Sequence, residues 1–259
     1  MVLNDYSVPI LMYHLVSFNL NPAFREFSVT PKKFNRQMWW LNHLGYKSIN
    51  LDSLLEWRKG NRKLPENPII LTFDDGFKDT YKYALGTLIK YSQTAVFYLV
   101  VGKIGDKSSW IPEDGKDIPL INWEEVRQLH SSGFQIGSHT MSHPRLNVSP
   151  SDVCRQEIAE SKIILEEFLG RNVDHFCYPY GSYNEDVKEI VAETGYSTAT
   201  STKEGLSNLD DDPWTLNRID INSNDNLLDF IFKLKFGRNV KDFIRSEYKL
   251  RKIFRHYKK

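Results

Sequence analysis

Ile69-Ile70-Leu71-Thr72-Phe73-Asp74-Asp75-Gly76 sets two adjacent carboxylates at the end of an apolar run, with a glycine opening the turn that follows. Five apolar or β-forming residues from Ile69 to Phe73 predict a buried strand, and Lys78 to Tyr91 carries the pattern of a helix. A strand, a polar turn and a helix in that order make one βα unit. In parallel βα folds the groups just after the strand lie on the functional face. Adjacent carboxylates repel, and a cation held by one relieves the repulsion while the other stays free as a base. The plain alternative is a strand-to-helix turn, because Asp-Gly is ordinary turn chemistry.

Working outward, Gly137-Ser138-His139-Thr140-Met141-Ser142-His143-Pro144 follows another short apolar run, Phe134-Gln135-Ile136. Two imidazoles four residues apart can face one cation if the segment is turn-like or helical. A chance surface pair is the competing reading, weakened by the position after a strand. Two histidines and one carboxylate form a three-ligand set with open positions, as in hydrolytic metal sites. Zinc is the first expectation for the divalent ion, with cobalt, nickel, manganese or iron as alternatives. Phe176-Cys177-Tyr178-Pro179-Tyr180-Gly181 is a strand end breaking into a proline turn, whose N–H groups can face a developing oxyanion. Pro9-Ile10-Leu11-Met12-Tyr13-His14 closes the first apolar strand on a histidine, a residue type that at such places is more often packed core than catalyst.

The same alternation runs through the chain and predicts repeated βα units around a mostly parallel sheet or barrel. Strands are expected at 9–14, 46–49, 69–73, 95–101, 134–138, 175–178, 197–200 and 216–221. Helices are expected at 31–43, 78–91, 123–131, 151–169, 185–194 and 226–235, the first with Thr30 as cap and Pro31 at its first position. Lys103 to Asp117 reads as a surface loop that could border a groove.

Composition bounds the rest. With 259 residues, 41% of them hydrophobic, one domain over 1–259 is the expectation. Lys and Arg (34) balance Asp and Glu (33), which gives no reason to expect nucleic acid. Charge is uneven, however: from Lys233 to Lys259 there are eleven Lys or Arg against Asp242 and Glu247. That basic stretch, with apolar residues interleaved, is read either as peripheral contact with an anionic membrane or as a packed terminal helix. Cys154 and Cys177 do not suggest a disulfide framework. Nothing in the sequence reads as a signal peptide or a membrane span, so the chain as written is expected in the cytoplasm, or at the cell surface if a leader has been removed.

Taken in order, Thr72-Phe73-Asp74-Asp75-Gly76, Ser138-His139-Thr140-Met141-Ser142-His143 and Tyr178-Pro179-Tyr180-Gly181 resemble the polysaccharide deacetylases of carbohydrate esterase family four, the NodB homology domain. The likeness spans roughly residues 9–221 and leaves 222–259 as a basic, helical C-terminal extension. It implies a distorted (β/α)7-type α/β barrel and removal of N-acetyl groups from a glycan or lipid-linked sugar. By resemblance, Asp74 is the catalytic base, and Asp75, His139 and His143 hold the metal. Metal-bound water then attacks the acetamide carbonyl, and the Tyr180 N–H and the metal hold the oxyanion, with Tyr178, Pro179 and Tyr180 beside the substrate.

The sequence departs from the commoner family pattern at two places. Cys177 stands where an arginine is usual, and Leu216-Asn217-Arg218 replaces a late leucine-histidine pair. Together with Met12-Tyr13-His14, these features resemble the branch that contains poly-N-acetylglucosamine deacetylases, in which an early histidine is the general acid. His14 is therefore expected as acid, and Arg218 is expected to approach Asp74 and hold it ionised. The competing functions are a carbohydrate-binding relative without turnover and a metal hydrolase acting on another non-peptide C–N bond.

Overall fold

A computed structural model describes residues 7–18, 22–111, 117–240 and 243–244. Seven strands form its centre: β1 (Ile10–Tyr13), β2 (Pro68–Phe73), β3 (Val96–Leu99), β4 (Gln135–Ser138), β5 (His175–Cys177), β6 (Thr198–Glu204) and β7 (Leu216–Asp220). Each pairs in parallel with the next, and β1 pairs with both β2 and β7, so the sheet closes into a barrel. Around it lie α1 (Pro31–His43), α2 (Leu51–Arg58), α3 (Lys78–Lys90), α4 (Trp123–Ser131), α5 (Ser151–Leu169), α6 (Glu185–Glu193) and α7 (Leu227–Phe236). The expected (β/α)7-type barrel is what the chain forms.

Local chemistry explains most element ends. Thr30 caps α1 by accepting the Lys33 N–H, with Pro31 in the first turn. Asn122 with Glu125 and Asn226 with Asp229 form reciprocal capping boxes at the starts of α4 and α7. The sequence reading missed α2, which is short and polar on one side. Its Leu51 and Leu54 nevertheless close one end of the barrel with Val8, Ile10, Ile70 and Val96. Also unforeseen are the small pairings of Ser7–Val8 with Ser207–Asn208 and of Leu15–Val16 with Ser28–Val29. β6 runs four residues beyond its expected end, because pairing with β7 extends a segment too polar to read as strand.

Strand parity decides which side chains enter the barrel. On β2, Ile69, Leu71 and Phe73 join the layer under the helices, whereas Ile70 joins the interior cluster. Thr72 and Asp74 share the inward file with Ile70. Leu216 and Arg218 share one on β7, and Ile10, Met12 and His14 continue one from β1. On β4 the close approach of Tyr98 leaves no room for a side chain at Gly137, where a Cβ would lie 2.5 Å from that ring and 2.9 Å from the His175 carbonyl oxygen. Gly137→Ala is expected to destabilise the protein by about 1–3 kcal/mol through overpacking, read as a lower denaturant midpoint at unchanged slope.

Among the described residues no helix is long and apolar enough to cross a membrane. Most of the basic C-terminal segment, from 245 onward, lies outside the described residues, as do 112–116 of the expected loop.

Candidate metal centre and active site

The C-terminal ends of the strands bring the separated motifs together. β1 and β2 run in register, Tyr13 opposite Phe73, and the Asp74 N–H donates to the Tyr13 carbonyl at 2.9 Å. His14 and Asp74 therefore leave neighbouring strands at one level, with His14 Nε2 3.9 Å from Asp74 Oδ2. That is beyond hydrogen-bond reach, so the imidazole stands beside the carboxylate without being tied to it.

Arg218 enters from β7. A bulge in β6, where Thr200 to Glu204 spans only Leu216 to Arg218, frees the Ser201 carbonyl to accept the Arg218 Nε–H at 2.8 Å. The two guanidinium ends then reach Asp74 in a fork, Nη1 to Oδ1 and Nη2 to Oδ2, both at 2.7 Å. Nη1 also donates to Thr72 Oγ1, and Nη2 to Cys177 Sγ at 3.1 Å. Arg218 and Asp74 are buried to within 2% of full burial. Burial alone would raise the Asp74 pKa, but the charge and hydrogen bonds of Arg218 hold it below the usual carboxylate range. Arg218 is held charged in turn by Asp74.

Asp75 faces the histidines. Its Oδ1 lies 3.5 Å from His139 Nε2 and 3.3 Å from His143 Nε2. Burial would raise its pKa, yet hydrogen bonding to His139 and His143 holds it far below the ordinary value. These separations fit a small cation: tetrahedral ligands at zinc-like bond lengths stand roughly 3.4 Å apart. The His139 orientation agrees, because its Nδ1 lies 2.7 Å from the Cys177 carbonyl oxygen. A carbonyl only accepts, so Nδ1 donates to it, and Nε2, facing Asp75, is the nitrogen left to bind a cation in place of a proton. Asp74, His139 and Cys177 form a second group whose ligand atoms, like those of the first, lie within 4.8 Å of one another. The first group fits better, since Arg218 already occupies both Asp74 oxygens and contacts the Cys177 sulfur.

Backbone strain is concentrated here. Of the six non-glycine residues with positive φ among those described, Asp75, Thr140, His143 and Tyr180 belong to these motifs. Such residues cost of order 1–3 kcal/mol each and persist where their surroundings over-determine them. In the third motif, the Tyr180 turn (φ 58°) presses Gly181 against Thr202, where a Cβ would lie 2.0 Å from the hydroxyl oxygen.

Beside the carboxylates and histidines is a cavity of about 560 Å³. His14, Asp74, Asp75, His139 and His143 reach it, as do Tyr178 and Tyr180 of the expected substrate-binding turn. Pro179 is buried and not among its lining residues, and the Tyr178 hydroxyl turns away to donate to the Trp214 carbonyl. The sequence reading missed most of the wall. Phe24 and Phe27 pack against His14, with Phe27 at 5.3 Å between ring centres. Trp110, from the loop after β3, stacks on His143 at 4.6 Å, and Tyr180 meets that imidazole edge-on from another direction. Arg145 lies over the Tyr180 ring.

A family model for polysaccharide deacetylase matches residues 61–199, more than half of the chain. The chain belongs to the polysaccharide deacetylase family. YxkH of Bacillus subtilis is 28% identical over 212 residues, covering 82% of this chain and 70% of that protein. The Staphylococcus aureus poly-beta-1,6-N-acetyl-D-glucosamine N-deacetylase is 24% identical over 236 residues, covering 87% and 78%. Among solved structures, the Streptococcus pyogenes deacetylase PplD in complex with acetate superposes with a TM-score of 0.75 at 26% identity, over 85% of this chain and 95% of that one. These matches place the barrel in the NodB-type deacetylase fold within carbohydrate esterase family four.

Proposed function

We propose that this polysaccharide deacetylase removes N-acetyl groups from a glycan by metal-dependent hydrolysis, with Asp75, His139 and His143 holding one divalent ion, zinc first among candidates. The observation that carries the reading is the convergence of three ligand atoms at cation-binding separations beside a buried, arginine-held carboxylate. When bound, the ion supplies positive charge that polarises the acetamide carbonyl and acidifies a water molecule. Asp74 takes up the proton of the attacking water, and Arg218 keeps that carboxylate ionised and fixed in orientation. The Tyr180 backbone N–H, in its left-handed turn beside His143, donates to the negative charge growing on the acetamide oxygen. His14, at the cavity wall, passes a proton to the departing amine.

The aromatic walls offer faces on which sugar rings can lie. Likeness to the S. aureus enzyme makes β-1,6-linked N-acetylglucosamine polymer the first substrate to try. Acetate release should be followed from a panel of N-acetylated glycans with zinc-reconstituted protein. Release that stops on chelation and returns with added metal is the expected result. A metal-loaded protein that releases no acetate from any member of the panel would contradict the reading.

A further inference from the structure

We propose that Glu157, on α5 and outside the cavity, is a positioning residue that holds the histidine loop in its metal-binding shape and thereby sets the affinity for the cation. The proposal rests on the assignment of Asp75, His139 and His143 as ligands. The loop from His139 to His143 leaves β4 and carries two left-handed residues, Thr140 (φ 69°) and His143 (φ 65°). Threonine is β-branched and disfavours that conformation, so the loop needs external support. Its first half is tied to the segment after β3, through the Val101 and Gly102 N–H groups donating to the Thr140 and Met141 carbonyls, each at 2.9 Å.

Glu157 grips the middle. Its Oε2 accepts the Met141 N–H at 2.9 Å and the Ser142 N–H at 2.8 Å, and its Oε1 accepts the Ser142 hydroxyl at 2.6 Å. Hydrogen bonds to an ionised carboxylate are stronger than neutral ones. This carboxylate spends three of them on two consecutive residues, the pair that separates the strained Thr140 from His143.

The support is itself anchored. Four residues after Glu157, on the same side of α5, Ser161 is buried and hydrogen-bonds through its hydroxyl to Ser138 at 2.8 Å. Ser138 is the last residue of β4, directly before His139. Helix and strand are therefore fixed to each other at one point, and one helical turn earlier Glu157 reaches over the loop that the strand releases. Glu157 does nothing to the substrate. It acts by keeping Nε2 of His139 and of His143 aimed at the same point as Asp75 Oδ1.

The test is zinc affinity of the metal-stripped full chain, measured by competition with a chromogenic chelator. Glu157→Ala is expected to bind zinc 10–100-fold more weakly, the range typical when support of metal ligands is lost. Glu157→Gln should fall between, since its amide oxygen still accepts while its NH2 opposes the remaining donors. Glu160→Ala, an exposed acid on the same helix, should bind as the wild type does. The visible spectrum of cobalt-loaded Glu157→Ala should also depart from that of the wild type, which general loosening of α5 would not produce. Wild-type affinity in Glu157→Ala, alongside a large loss in His143→Ala, would overturn the proposal and leave the ligand assignment standing. Wild-type affinity in His143→Ala would instead overturn the ligand assignment, and this proposal with it.

Discussion

Arg218→Met is expected to destabilise the protein by about 3–5 kcal/mol at neutral pH and to move the acid limb of the activity profile to higher pH, because it leaves Asp74 buried as an unpaired carboxylate. Methionine keeps much of the side-chain length, so most of the loss comes from the charge and the fork of hydrogen bonds rather than from a cavity. The sign of the pH effect follows from the lowered Asp74 pKa. A carboxylate whose folded pKa is depressed contributes stability that is present above its unfolded value, near ~3.9, and is lost as pH falls through the lower folded value. Without Arg218 only burial remains as the dominant influence, and burial pushes the pKa upward. The loss of both stability and base function then begins at higher pH.

Arg218→Lys should rescue the variant poorly. An ammonium cannot donate in parallel to both Asp74 oxygens while also reaching the Ser201 carbonyl. Urea titrations from pH 4 to 8, with acetate release measured over the same range, would check this. A methionine variant with wild-type stability and an unshifted profile would show that Arg218 does not hold the base.

The Asp74–Arg218 contact also shows how much the sequence could reveal. Asp74, Asp75, His139 and His143 follow apolar runs that read as strands, so their shared face was legible before any coordinates. The arginine was legible by default: Cys177 stands where the resemblance expects one, and Arg218 was an arginine near the last strand. What could not be read was the route. It depends on the bulge in β6 and on closure of β7 against β1, a pairing between segments some 200 residues apart that no local pattern records. Phe24 and Phe27 were hidden for a related reason. They lie in an irregular stretch between β1 and α1, and only the folded chain brings them beside His14. Glu157 was hidden differently. In the sequence it is one of several acids on α5, and nothing there distinguishes it from Glu160, which among the described residues accepts a hydrogen bond from its exposed neighbour Gln156.

His14→Ala is expected to lower the turnover of an N-acetylated glycan by about 10²–10⁴-fold, the usual contribution of a general acid, with zinc content unchanged. The residue is separable from the proposed metal site, because its Nε2 is not among the three converging ligand atoms and its ring packs on Phe24 and Phe27. Its side chain is only 15% exposed, so truncation removes packing as well, yet the ring borders a cavity and has neighbours on one side. The stability cost should therefore stay within the ordinary range for point mutants, about 0.5–3 kcal/mol. The discriminating measurement uses two leaving groups. An amine leaves an amide only when protonated, whereas 4-nitrophenolate leaves an acetate ester without a proton. If His14 delivers that proton, His14→Ala loses activity on the glycan and keeps most of its activity on the ester, while Asp74→Asn loses both because each reaction needs the attacking water deprotonated. Equal loss on the two substrates would instead make His14 part of substrate placement, and full retention on the glycan would remove it from the reaction.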